Sequence, residues 1–156
     1  MSYEVYLAGS IQGLSYEESQ KERKELSDKL SRINIACRNP LRGKKDIVGN
    51  IKHISDVSYY DKCSMRELVQ RDLQDIEQCS AVVVLTGDKA SWGSAMEFAY
   101  ACFIAEKPTL VICKDKNISG WLKYYATKIV SSIEEAVDVL EDWSYYWNGP
   151  GTYDLE

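Results

Sequence analysis

Residues 80–113 read SAVVVLTGDKASWGSAMEFAYACFIAEKPTLVIC, and this stretch limits the possible folds more than any other. Residues 81–85 are a continuous apolar run rich in valine, as expected of a strand buried on both faces. Residues 87–93 carry turn formers. Residues 94–105 have helix length and are apolar nearly all round, which predicts a buried helix. Pro108 is expected to end it, and residues 109–113 read as a second buried strand. One charge interrupts the apolar helix: Glu97, about one turn in. Burying a carboxylate costs several kcal/mol unless it is paired or used. In open α/β sheets, ligands bind at the carboxyl ends of the strands. Glu97 is therefore the leading candidate for a catalytic residue.

The flanking sequence extends the same alternation. Residues 4–8 (EVYLA) predict a strand running into Gly9-Ser10, with Gly13 beyond. Ser15 and Glu18 form a capping box, so a helix is expected to start there, with Leu26, Leu30 and Ile33 on its inner face. Gly9 and Gly13 admit two readings: a plain turn, or a loop whose backbone N–H groups face an anion or sugar. The dinucleotide fingerprint GxGxxG is incomplete here. Residues 35–39 predict a strand stopped by Pro40. Residues 41–62 form a long polar loop, read as a lid because such loops in compact domains are usually functional or mobile. Arg38 and Arg42 flank it and read as surface charges more readily than as anion contacts.

Residues 63–78 predict an amphipathic helix with Met65, Leu68, Val69, Leu73 and Ile76 in one stripe. Asp72 and Asp75, three apart, are neighbours on an adjacent face, and composition alone favours solvated surface for both. A polar turn over 114–120, a short helix over 121–126 and a strand over 128–130 follow. Ser132 with Glu135 caps a last helix bearing Ile133, Ala136, Val137 and Leu140. The tail 143–156 (WSYYWNGPGTYDLE) is aromatic and is read as non-helical, packed on its own domain or a neighbouring subunit. The expectation is one doubly wound α/β domain over residues 1–142, with about five parallel strands and helices on both faces.

Composition narrows the functional classes. A net charge of −5 over 156 residues offers no basic field for a nucleic acid polymer. The start of the chain lacks the basic, then apolar pattern of a secretory leader, and no apolar run approaches the ~20 residues that span a bilayer. The five cysteines are scattered, without CxxC, and read as reduced thiols of a cytoplasmic protein. The single histidine, His53, excludes a His-rich metal site. Eleven tyrosines and four tryptophans suggest ligand contacts or a subunit interface beside core packing.

Four stretches carry a resemblance: VYLAGSIQGLSYEE at 5–18, RDLQDIEQCSAVVV at 71–84, SWGSAMEFAYACFIAEKP at 91–108 and KIVSSIEEAVDVL at 128–140. In this order and spacing the chain resembles the nucleoside 2-deoxyribosyltransferase family and its relatives, the 2′-deoxynucleoside 5′-monophosphate N-glycosidases. The resemblance implies that Glu97 is the nucleophile attacking the anomeric carbon. A carboxylate suits that task, because a fixed anion stabilises an oxocarbenium-like state and can trap it covalently. It implies that Asp72 contacts the departing base and shares a proton with it. It implies that the Tyr6 hydroxyl orients Glu97. Gly9, Ser10, Gln12, Gly13, Ser91, Gly93 and Tyr124 are the substrate-binding positions by the same comparison.

No metal or organic cofactor is implied. The partners implied are a deoxynucleoside (or deoxynucleotide) and a free nucleobase. A homo-oligomer, at least a dimer, is expected, with residues 124–127 completing a neighbour's site. Two departures point in opposite directions. Ser91 stands where nucleoside-specific transferases tend to have an aspartate for the 5′-hydroxyl, and a serine tolerates phosphate there. Gln12 stands where the monophosphate hydrolases carry an arginine, which argues against a nucleotide. The transferase is the favoured reading, with the monophosphate N-glycosidase as the alternative. A non-catalytic nucleotide-binding or sensor domain, a purely structural domain and a flavin carrier are the other classes compatible with such a fold.

Overall fold

The computed structural model describes residues 2–9, 16–41, 65–87, 91–115 and 117–147. In chain order the elements are β1 (Glu4–Gly9), α1 (Tyr16–Ser31), β2 (Ala36–Arg38), α2 (Met65–Gln78) and β3 (Ala81–Leu85). They continue with α3 (Trp92–Phe103), β4 (Thr109–Ile112), α4 (Gly120–Tyr125), β5 (Lys128–Val130) and α5 (Ile133–Tyr145). The five strands form one sheet in the order β2-β1-β3-β4-β5, and every pairing is parallel. The expected doubly wound α/β fold is the one observed.

Each strand sends alternate side chains to opposite faces, and β1 shows how the core divides. Val5 and Leu7 enter one layer, with Leu26 and Leu30 of α1 and Ala136 and Leu140 of α5. Tyr6 and Ala8 enter the other, with Ile76 of α2 and Phe98 and Ala101 of α3. Each fully buried valine, leucine or isoleucine among them contributes roughly 1.5–3 kcal/mol. The chain steps outward from β1 to β2 and then crosses back to β3, so the order reverses between β1 and β3. Their carboxyl ends, Gly9 and Leu85, are paired in register at that switch point.

Three expectations need correction. The helix read as 94–105 starts earlier and stops earlier. Ser91 is its N-cap, and Phe103 is its last residue. The stop does not depend on Pro108: Glu106 turns left-handed at φ 50°, and the Lys107 amide donates back to the Ala101 carbonyl at 2.8 Å. Nor is α3 buried all round. Phe98 and Ala101 are buried, but Trp92 is 81% exposed, and Met96, Phe103 and Ile104 are exposed with it. One side of α3 meets the sheet, and nothing within the described chain covers the other.

The last helix crosses the expected boundary at residue 142 and runs to Tyr145. Trp143, three positions after Leu140, prolongs its apolar stripe onto the core, which favours helix over loop. Trp147 also packs there and meets Tyr3 edge to face, ring centroids 5.8 Å apart. Ser132 caps the helix, its side chain accepting the Glu135 amide at 3.2 Å, while the Glu135 carboxylate accepts from the Ser131 amide at 3.2 Å, one residue before the position the expected capping box uses. The lid read over residues 41–62 lies, from residue 42 on, outside the described residues, as do Cys63 and Ser64 of the expected helix start and residues 148–156.

Candidate active site

The site is built from the switch point outward. Tyr6 sits mid-way along β1, in register with Val82 of β3 and Arg38 of β2, and is fully buried. Its side chain leaves the sheet on the α3 side, where its hydroxyl donates to Glu97 Oε1 at 3.0 Å. Burial, then the charges of Glu97, Asp72 and Asp75, push the phenol far above its ordinary value. Tyr6 therefore stays protonated and remains a donor to the carboxylate. The bond fixes the orientation of the Glu97 carboxylate.

Helix α2 supplies two acids with different surroundings. Asp75 is 4% exposed and takes a 3.1 Å ion pair from Arg38 Nη1. Arg38 also bonds Glu4 through Nε at 2.7 Å and Gln78 at 2.6 Å. Arg38 is thus not the loose surface charge that its sequence position suggested; it ties β1, β2 and α2 together. Asp72, one turn earlier, acts electrostatically on Tyr6 and so lies towards the same group. Arg71 Nη2 approaches Asp72 Oδ1 at 3.3 Å and donates to the Pro40 carbonyl at 2.6 Å. Neither aspartate is the solvated surface residue that composition favoured.

A side chain at Gly9 would require a neighbour to shift. A Cβ there would lie 2.8 Å from Arg23 Nη2 and 3.3 Å from its Cζ. The end of β1 is therefore pressed against a guanidinium, which neither reading of the Gly9 turn anticipated. Arg23 is 2% exposed, and the Glu97 and Glu22 carboxylates act on it electrostatically. Burial lowers its pKa from the ordinary arginine range, and those neighbours oppose the shift. A sequence signal existed: Arg23 stands three before Leu26 and seven before Leu30, on the apolar stripe of α1.

The remaining candidates are dispersed. Ser91 caps α3, its Oγ accepting the Ser94 amide at 3.4 Å, so its own O–H stays available as a donor. Gly93 is exposed in the first turn of α3, and a Cβ there would meet only the Ser91 hydroxyl at 3.8 Å. Tyr124 is 81% exposed on α4, its ring edge-on to Tyr125, which in turn contacts Phe103 at the far end of α3 from Ser91. Ser10, Gln12 and Gly13 lie outside the described residues. The structure thus bonds Tyr6 to Glu97, sets Asp72 one turn before the buried Asp75 on α2, puts Arg23 against Gly9, places Ser91 and Gly93 at the start of α3, and leaves Tyr124 apart.

A largely apolar cavity of about 550 Å³ lies between α3 and α4, over the ends of β3 and β4. Thr86, Gly87, Ser91, Ser94, Phe98 and Trp121 line it, whereas Tyr6 and Glu97 do not. Ser94 Oγ is buried there without a hydrogen-bond partner among the described residues. Among the described residues, no three His, Cys, Asp or Glu side chains are placed to hold a metal ion. No helix among them is long and apolar enough to cross a membrane.

Comparison with solved structures identifies the architecture. A 2-deoxyribosyltransferase from Bacillus psychrosaccharolyticus superimposes with a TM-score of 0.62 at 14% identity, over 86% of this chain and 90% of its own. The fold is that of the nucleoside deoxyribosyltransferases. A CMP N-glycosidase from Clostridium botulinum shares this deoxyribosyltransferase fold, with a TM-score of 0.55 at 17% identity over 88% of this chain and 98% of its own. So does a conserved protein from Enterococcus faecalis V583, at 0.64 and 15% over 92% and 99%. No family model and no curated protein matches the chain in sequence.

Proposed function

We propose that this protein is a nucleoside 2-deoxyribosyltransferase of the family it resembles, exchanging the base of a 2′-deoxynucleoside through a covalent deoxyribosyl-Glu97 intermediate. The observation that carries the reading is the 3.0 Å bond from the buried Tyr6 hydroxyl to Glu97. It gives the single acid of α3 a fixed orientation at the sheet's switch point, where a ligand is expected.

In the first half-reaction, the Glu97 carboxylate forms a bond to C1′ as the C1′–N bond breaks. The departing base takes a proton from the Asp72 carboxyl, which leaves Asp72 ionised. In the second half, a nitrogen of another base attacks C1′, its proton returns to Asp72, and the Glu97 carboxylate is released. Two inversions give net retention. Tyr6 donates to Oε1 throughout, steadying the carboxylate before attack and as it leaves. Water attacking in place of the second base makes the same site a hydrolase.

The monophosphate N-glycosidase reading has one observation in its favour. Ser91 caps α3, whose first turn contains no acidic residue, so the helix start suits a phosphate. Chromatography of a deoxynucleoside or its 5′-monophosphate, each with and without a second base, separates the two. A new deoxynucleoside formed only with the second base is the expected result. Free base and deoxyribose 5-phosphate from the monophosphate alone would replace the transferase with the hydrolase. Binding without turnover in any reaction would favour the sensor domain.

We also propose a cytoplasmic homo-oligomer, at least a dimer, with shared sites. The apolar side of α3 continues into Trp121 and Tyr124 of α4, both exposed in the single chain. An exposed apolar surface of this composition suits a partner of identical sequence, and Phe103 and Trp121 on it line the apolar cavity.

A further inference from the structure

We propose that the cavity between α3 and α4 is a second binding site, taking a neutral nucleoside that is not presented to Glu97. One face of α3 builds its wall: Ser91, Ser94, Ala95, Phe98 and Ala99 recur along it at helical spacing. Ser94 is the position that packing does not explain. Its Oγ is buried with no hydrogen-bond partner among the described residues, in a wall that is otherwise largely apolar. An unpaired buried hydroxyl costs stability, and alanine would fill the same place without that cost. A ligand atom bonded to Ser94 removes it, since a serine hydroxyl both donates and accepts. Tyr6 and Glu97 do not line the cavity, so a molecule held there lies outside the bond-breaking group.

The lining sets the chemistry of the occupant. A volume of about 550 Å³ falls within the ~300–1,000 Å³ of small-molecule sites. The start of α3 offers hydroxyls. Ser91 Oγ accepts the Ser94 amide and keeps its O–H free to donate, and Ser119 Oγ does the same with the Trp121 amide at 3.3 Å. The other end of α3 offers rings. Phe103 meets Tyr125 edge to face at 4.6 Å, and Trp121 stacks on Tyr125 with planes 20° apart. A planar ring carrying a hydroxylated group matches both ends, because aromatic walls favour ring stacking over an aliphatic chain. Charge limits the choice further. No lysine or arginine lines the cavity, whereas Asp115 places a carboxylate on it. A phosphate there would be desolvated beside a like charge with no cation to offset it. The occupant is therefore neutral. A nucleoside is the molecule of this kind that the transferase reading supplies, and its naming rests on that reading.

The probe is 2′-deoxypseudouridine, whose C–C glycosidic bond base exchange leaves intact. Tryptophan fluorescence is followed during its titration, and the cavity signal is the part of the quenching that is lost in Trp121→Phe. Saturable quenching is expected in wild type, with the same Kd in Glu97→Gln. Ala99→Leu fills the cavity and should weaken binding by about tenfold or more. Ser94→Ala should weaken it by about threefold to tenfold while raising the melting temperature of the free protein, because an unpaired hydroxyl has gone. The 5′-monophosphate of the probe should bind less tightly than the probe itself; equal or tighter binding overturns the neutral ligand. Absence of Trp121-dependent quenching up to ~10 mM overturns the site and leaves the cavity to a side chain of a second copy. An unchanged Kd in folded Ala99→Leu overturns it as well. If that variant does not fold, an unchanged Kd in Ser94→Ala does so. The titration needs no turnover, so a wild type that lacks base exchange defeats the transferase reading while Trp121-dependent binding still upholds the site.

Discussion

Tyr6 and Glu97 are joined by a 3.0 Å hydrogen bond although 91 positions of chain separate them. The bond crosses from the middle of the sheet to the helix above it, so the two side chains report on one another. Removing Glu97 tests the chemistry. Glu97→Ala should cut base exchange by at least ~10³-fold, about 4 kcal/mol of transition-state stabilisation, with the fold retained by circular dichroism. A rate within tenfold of wild type would reject Glu97 as the nucleophile.

Asp72 should govern the departure of the base. Asp72→Asn removes its capacity to hand over a proton while keeping its size. The slowing should be largest for bases that leave poorly and small for bases that leave well, measured as single-turnover rates over a series of deoxynucleosides. Equal slowing across the series would leave Asp72 without a proton-transfer role.

The buried protons of this layer set the alkaline limit of the fold. The Cys79 thiol is pushed up from its ordinary 9.0 to about 12, by burial first and then by Glu4. Unfolding exposes a thiol that ionises near its ordinary value, whereas the folded thiol keeps its proton until much higher pH. Its contribution to stability is therefore fully present below pH 9.0 and is lost as pH rises towards about 12. Tyr6 acts in the same sense, starting from its ordinary 10.0. Denaturation midpoints at about pH 8 and about pH 11 should fall less for Cys79→Ala than for wild type. An equal fall in both would place the alkaline sensitivity elsewhere.

The exposed side of α3 and α4 should be a subunit contact. Trp121→Glu places a charge on that face without touching the Tyr6–Glu97 group. Light scattering should show the mass falling to that of one chain, and exchange activity should fall with it. A wild-type protein that is monomeric and fully active would refute the shared-site arrangement.

Much of this arrangement was legible before the fold was known. Ala81–Leu85 announces a central strand because burial on both faces removes polar alternation. Glu97 stands out because it is the one charge in an apolar helix. The resemblance pointed to Tyr6 as its partner, and the geometry places the two together. What was not legible depended on tertiary partners. Arg38 looks like any surface arginine until Glu4, Asp75 and Gln78 close on it from 34, 37 and 40 positions away. Arg23 sits in a helix dense in Lys and Glu, where periodicity alone does not separate a buried cation from one whose head reaches water. The open side of α3 misled for the opposite reason: apolar periodicity reports that a face is to be covered, not which chain covers it.

The cap at Ser91 has an evolutionary consequence. It fixes where α3 begins, and with it the rotational phase that aims Glu97 at Tyr6 six residues later. Because the Ser91 side chain holds the Ser94 amide within the helix itself, the aim of Glu97 is a local property of the helix start. Substitutions elsewhere that spare this cap leave that phase in place, which lets a scaffold diversify without re-aiming its carboxylate.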